Sequence, residues 1–313
     1  MQNLGYACIN MGLSEQPKSR RVTTNRTMIK KTFKQRGISY ASELALQNSR
    51  DLLKIIKWNY SNDINFFRMS SGIFPWASEY NISDLPDYNQ IAGTLAEAGS
   101  FAKQVGQRLT THPDHFNKLT SPREHVIHNT VRDLEIHGEM MDLLGMPRTP
   151  WAKINIHVGA SYGDKPMALD NFCRNFEKLS DAVKSRLTVE NDDRDSLYST
   201  AELVSEIHSR IGIPVVHDFH HHLFTHRGMS QEEALGLACS TWGDVPPVVH
   251  YSESRAEEYN DPKIRPQAHS DMIQNYIETY GQDVYIMIEA KHKELALLEY
   301  RNKFYNTQQL LAG

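Results

Sequence analysis

The stretch that most limits what this chain can become is Ile213-Pro214-Val215-Val216-His217-Asp218-Phe219-His220-His221-His222. Its opening, Ile213 to Val216, reads as a buried strand, yet it runs directly into a carboxylate and a row of imidazoles. Burying such groups is costly unless they bind something positive, so the stretch points to a metal site where a strand surfaces.

The pattern recurs along the chain. Apolar runs at Asn3–Ile9, Ile64–Met69, Gln107–Thr111, Trp151–Val158, Arg186–Val189, Val248–Tyr251 and Val284–Ile288 read as further strands. Helices are expected over Ser42–Tyr60 with Ser42 as N-cap, within Tyr88–Gly106, and from Ser121 to Gly145 with Pro122 at the first helical position. More follow over Pro166–Lys184, Thr200–Ile211, Ser230–Cys239 and Ser270–Tyr280, with a last one after the final strand. Eight strands alternating with helices make the pattern of an α/β fold, a single (β/α)8 TIM barrel spanning residues 1–313. No linker or low-complexity tract divides it. Such barrels carry the active site at the carboxyl ends of their strands, where this chain places Asn10, Arg68, His112, His157, Glu190, Asp218, His250 and Glu289.

A net charge of −4 gives no overall reason to expect a nucleic-acid partner, so one would have to be met by a local patch. Lys18 to Arg36 is such a patch, with eight Lys or Arg residues and no Asp or Glu. It reads as a loop, either simply solvated or facing phosphate, and Thr23-Thr24-Asn25-Arg26-Thr27 within it offers small donors suited to phosphate oxygens. Cys8, Cys173 and Cys239 lie far apart without a CxxC, which speaks against a disulfide framework or a thiolate zinc site. No signal-like start and no bilayer-spanning apolar stretch is present, so a cytoplasmic protein without a membrane partner is expected.

His112, His157, Glu190, Asp218, His221, His250, His269 and Glu289 are enough for roughly two or three divalent ions, with a carboxylate bridging. Zinc, manganese, iron and cobalt all suit such a set. Clustered divalent ions stabilise the attacking and leaving oxygens of a displacement at phosphorus, which favours phosphodiester hydrolysis. Barrel sugar isomerases and epimerases gather similar ligands and form the alternative, although a neutral sugar gives no reason for the basic patch. His125, His128, His137, His208 and His226 read as structural, while His217, His220 and His222 stay open.

Several motifs carry a resemblance. Leu4-Gly5-Tyr6, Thr23-Thr24-Asn25-Arg26-Thr27, Phe67-Arg68-Met69-Ser70-Ser71, His112-Pro113, Tyr162-Gly163-Asp164-Lys165, Glu190-Asn191-Asp192, Asp218-Phe219-His220-His221 and Arg265-Pro266-Gln267-Ala268-His269 occur in the order found in the UV damage endonuclease family. The resemblance runs from residue 4 to about residue 293. It implies a barrel related to endonuclease IV that nicks damaged double-stranded DNA immediately 5′ to cyclobutane pyrimidine dimers and 6-4 photoproducts. The products would be a 3′-hydroxyl and a 5′-phosphate. It implies divalent metal, manganese first and zinc, cobalt or magnesium as options, no nucleotide cofactor, and a monomer. The eight ligands above carry over, with Glu190 as the bridging carboxylate, and Lys165 matches a basic residue near the scissile phosphate. Tyr6 and Asn10 match positions that contact the damaged site, and Asn25, Arg26 and Arg68 join them as DNA-binding candidates.

This chain departs from the family pattern at three places. Glu79 replaces a histidine and remains a possible metal ligand. Asp114-His115-Phe116 replaces a Gly-Gln-aromatic run that probes the lesion, leaving His115 to hydrogen-bond and Phe116 to stack or wedge between bases. Val248 replaces a lysine close to the metals. These changes also raise the alternative of a lesion-binding protein with impaired cleavage.

Overall fold

The computed structural model describes residues 2–306. Eight parallel strands close in sequence order into a barrel: β1 (Asn3–Ala7), β2 (Phe66–Met69), β3 (Arg108–Thr111), β4 (Ile154–His157), β5 (Leu187–Glu190), β6 (Val215–Asp218), β7 (Val248–Tyr251) and β8 (Tyr285–Ile288). The (β/α)8 expectation is met. Every residue of β3, β5 and β6 is buried, as it must be for parallel strands covered on both faces, and this is why the strands appear in the sequence as short continuous runs. β5 and β6 each extend to include their terminal carboxylate, Glu190 and Asp218, which the apolar pattern alone left outside.

The chain divides into two compact units, Cys8–Thr188, and Met1–Ala7 with Val189–Gly313. In the first, the helix Lys30–Ser61 begins twelve residues before Ser42, the expected N-cap, and passes a non-helical Gly37 (φ 64°, ψ −160°). The basic patch is therefore a loop only as far as Ile29, and Lys30, Lys31, Lys34 and Arg36 lie on helix. Ser42 is instead buried against the start of the helix Tyr88–Gln104: its hydroxyl donates to Asp87 Oδ2 and accepts the Asp87 N–H, both at 2.8 Å. Pro122 is not at the first helical position either. The Arg123 N–H donates to Ser121 Oγ at 3.2 Å, which holds a turn, and the helix runs Glu124–Leu143. The expected helix Pro166–Lys184 is two, Lys165–Phe176 and Asp181–Lys184.

In the second unit, residues 200–211 are helical with a π-helical turn at Val204–His208. Ser230 and Glu233 form a capping box that opens Gln231–Cys239. Ser270–Tyr280 is not a helix. Ile273 and Ile277 are buried, but side chains take the backbone donors of this segment. Glu258 accepts the N–H groups of Asp271 and Met272, and Glu253 those of Gln274 and Asn275. A carboxylate that satisfies successive N–H groups holds an irregular backbone in place of helical bonding. Among the described residues, no helix is long and apolar enough to cross a membrane.

Candidate metal centre

β6 delivers Asp218 as its last residue, and Asp218 then caps the short helix Phe219–Thr225 by accepting the His221 N–H at 2.8 Å. One residue thus ends a strand, starts a helix, and fixes His221 one turn away. Asn191, directly after β5, locks the pair: its side chain accepts the Asp218 N–H at 2.7 Å and donates to the Asp218 carbonyl at 3.0 Å. Its own carbonyl accepts from His221 Nδ1 at 2.9 Å. A carbonyl can only accept, so His221 carries its proton on Nδ1 and keeps the Nε2 lone pair. His269 repeats this device on the Glu289 carbonyl at 3.1 Å, and His112 on the Pro113 carbonyl at 3.0 Å. Sequence reasoning missed Asn191 as a site residue, and its adjacency to a strand-end glutamate was the available signal.

Glu190 is 1% exposed and faces two imidazoles with its two oxygens, Oε1 lying 3.4 Å from His221 Nδ1 and Oε2 3.1 Å from His250 Nδ1. Glu289 Oε1 approaches the same His250 nitrogen at 3.1 Å. Within this unit Glu190, Asp218 and His221 form one group whose ligand atoms all lie within 4.8 Å, and Asp218, His250 and Glu289 form another. Asp218 belongs to both.

Asp218 Oδ2 is buried without a hydrogen-bond donor. Burial first, then the charges of Glu190 and Glu289, push its carboxyl up to about 7, against the opposing pull of His221. Three carboxylates at or just past the ends of β5, β6 and β8 repel one another, a repulsion that a bound cation would relieve. Mixed oxygen and imidazole donors fit a divalent ion.

The open histidines separate cleanly. His217 uses both ring nitrogens, Nδ1 with the Thr200 hydroxyl at 3.0 Å and Nε2 with Gln231 Oε1 at 2.9 Å, and burial depresses its pKa to about 3. His222 donates Nε2–H to the Met229 carbonyl at 3.0 Å. Both are structural. His220 has its ring 5.7 Å from that of His269 and lines a cavity of about 470 Å³ with Phe219, Tyr251 and Glu253. His137 and His208 bond backbone carbonyls, and His226 accepts the Gly228 N–H.

In the Cys8–Thr188 unit, His112 and His157 bring their rings to 5.5 Å. Glu79 is exposed. It lines a cleft of about 930 Å³ with Phe116, Lys118, Arg123, His125 and Tyr162. Phe116 is 72% exposed, and its ring lies 4.1 Å from that of His115. Asn10 is buried and caps a short helical turn by accepting the Leu13 N–H at 2.9 Å. Asn25 is exposed, its side-chain oxygen accepting from the Ser70 hydroxyl. Arg68 is half-buried on β2. Lys165 opens the helix Lys165–Phe176, capped by Asp164. In the other unit, Tyr6 is fully buried on β1.

Against known proteins, the family model for UV-endonuclease UvdE matches residues 2–311. The chain is 34% identical over 306 residues to the UV-damage endonuclease of Schizosaccharomyces pombe, an alignment covering 95% of this chain and 49% of that protein. It is 32% identical over 306 residues to the UV DNA damage endonuclease of Bacillus cereus, covering 94% of this chain and 92% of the relative. The chain thus spans about half the length of the fungal relative. The crystal structure of SacUVDE superposes with a TM-score of 0.83 at 29% identity, covering 98% of this chain and 99% of that one. The 3-keto-D-glucoside 4-epimerase YcjR of E. coli, at 10% identity and a TM-score of 0.55 over 99% of this chain and all of that one (100%), shares the fold alone.

Proposed function

Because this chain belongs to the UV-endonuclease UvdE family, we propose that it is a metal-dependent DNA repair endonuclease that cuts the phosphodiester immediately 5′ to UV lesions. Cyclobutane pyrimidine dimers and 6-4 photoproducts are its substrates, and a 3′-hydroxyl and a 5′-phosphate its products. The observation that carries the reading is Glu190, a buried carboxylate whose two oxygens face two different imidazoles in a set of oxygen and nitrogen donors. A buried carboxylate among such donors suits a divalent ion, and the resemblance makes Glu190 the bridging one.

Asp218, His221, His250, His269 and Glu289 would hold the ions together with Glu190, and the resemblance adds His112 and His157, with Glu79 a further candidate. Such a set would hold divalent ions, manganese first, and the chemistry they would supply is neutralisation of the attacking and leaving oxygens of an in-line displacement. The Nδ1–H bonds of His112, His221 and His269 to carbonyls fix the ring orientations, so the donors are aimed before substrate arrives. Lys165 draws the scissile phosphate. A cation on the first turn of a helix opposes the dipole, and an anion brought between them relieves that repulsion. Lys30 and Lys31 stand exposed on the first turn of the helix Lys30–Ser61, where the same argument favours a phosphate backbone. Tyr6, Asn10, Asn25 and Arg68 belong to the DNA-facing set. Phe116, held against His115, supplies an exposed ring for stacking on an unstacked base.

The test is nicking of UV-irradiated plasmid with added Mn²⁺. Irradiated plasmid should be relaxed and unirradiated plasmid spared, and Glu190→Gln should abolish the difference. Equal nicking of the two plasmids, or none with any of several divalent metals, would overturn the reading.

A further inference from the structure

Arg26 lies in the most cationic stretch of the chain, yet its head is turned inward. Its guanidinium sits 2.7 Å from Asp51 Oδ2, bonds the Thr23 carbonyl, and donates to the Arg21 carbonyl at 3.2 Å. Asp51, on the helix Lys30–Ser61, is 2% exposed. Its Oδ2 also accepts the Thr23 N–H at 3.1 Å, and its Oδ1 holds Lys54 Nζ at 2.8 Å. One turn earlier on the same helix, Asn48 is fully buried, accepts the Arg26 N–H and donates to the Arg26 carbonyl, both at 3.1 Å. The Asn48 amide also reaches the carbonyls of Gly72 and Ile73, each at 3.2 Å, so it ties the loop to the segment after β2. Lys18, Arg20, Arg21, Lys30, Lys31 and Lys34 by contrast are exposed.

A guanidinium already paired with a buried carboxylate and two carbonyls has little charge left to displace counterions from DNA. We propose that Arg26, Asp51 and Asn48 are positioning residues, a latch that holds the 21–27 loop in one shape while Asn25 and the exposed cations around it meet the phosphates. This rests on the DNA-binding reading above and changes what Arg26 does within it. Asn25 is presented from the middle of the latched segment, its oxygen pinned by Ser70, so loosening the loop moves it without removing any phosphate contact.

The experiment measures binding to a lesion-bearing duplex between about 50 and 200 mM salt, with steady-state incision and amide hydrogen exchange alongside. The proteins are the wild type, R26Q, D51N, R26Q/D51N and R20Q/R21Q. The R20Q/R21Q protein should lower the slope of log K against log salt by about two. R26Q and D51N should each raise KM by about tenfold with the salt slope and kcat unchanged, the double variant being no worse than either single one. Both should lose exchange protection at the Thr23 amide. A salt slope lowered by about one in R26Q, or protection retained in D51N, would overturn the latch. Failure of the wild type to bind duplex at all would instead count against the DNA reading, and the exchange data would still decide the latch.

Discussion

Asp218 joins three roles in one side chain: it ends β6, caps the helix after it, and leaves Oδ2 buried with no donor. Asp218→Asn should remove a ligand shared by both groups and lower Mn²⁺ affinity by more than about 10-fold, read by isothermal titration. Asn191→Ala leaves every ligand in place but frees the Asp218 peptide and the ring of His221. Removing such a supporting contact should cost about 10–100-fold in metal affinity or activity. Phe116→Ala tests a different property. The side chain is 72% exposed, so the stability change should stay within about 0.5 kcal/mol in urea unfolding. Incision of lesion duplex should fall several-fold all the same, and an unchanged rate would remove Phe116 from lesion reading.

The elements show what a single sequence does and does not reveal. Each strand was legible as an apolar run, because a parallel strand buried on both faces has no alternation to blur it, and six of the eight end in or beside a ligand-type side chain. Helix starts were less legible, since they depend on partners distant in sequence. Ser42 has the chemistry of an N-cap but binds Asp87, and Ser270–Tyr280 has helical spacing but gives its N–H groups to Glu253 and Glu258. The histidines of the opening motif were equally ambiguous. Only the partners Thr200, Gln231 and Met229 separate His217 and His222 from His221. One helix position makes a direct stability test. A Cβ at Gly99 would lie 1.7 Å from the Leu144 carbonyl oxygen, so Gly99→Ala should destabilise by about 1–3 kcal/mol or more in urea unfolding. A neutral result would mean that the helix Tyr88–Gln104 packs less tightly there.

For the whole molecule, the donor set predicts that the divalent ion stabilises the folded chain as well as serving the reaction. At a free concentration about 100 times its Kd, one bound ion adds about 2.7 kcal/mol, roughly a 4 °C rise in Tm, which EDTA should reverse. Glu190→Gln should lose most of that rise. The fold and the position of the candidate centre were both legible, since strand-end ligands mark the functional rim of such a barrel wherever they fall in the chain. The central claim is tested most directly by incubating a duplex that carries one defined cyclobutane dimer with metal-stripped protein and graded Mn²⁺, and mapping the cut at nucleotide resolution. One metal-dependent cut immediately 5′ to the dimer, lost with Glu190→Gln, is the predicted result. A cut at unrelated positions, or one that persists in the metal-stripped protein or in Glu190→Gln, would contradict it.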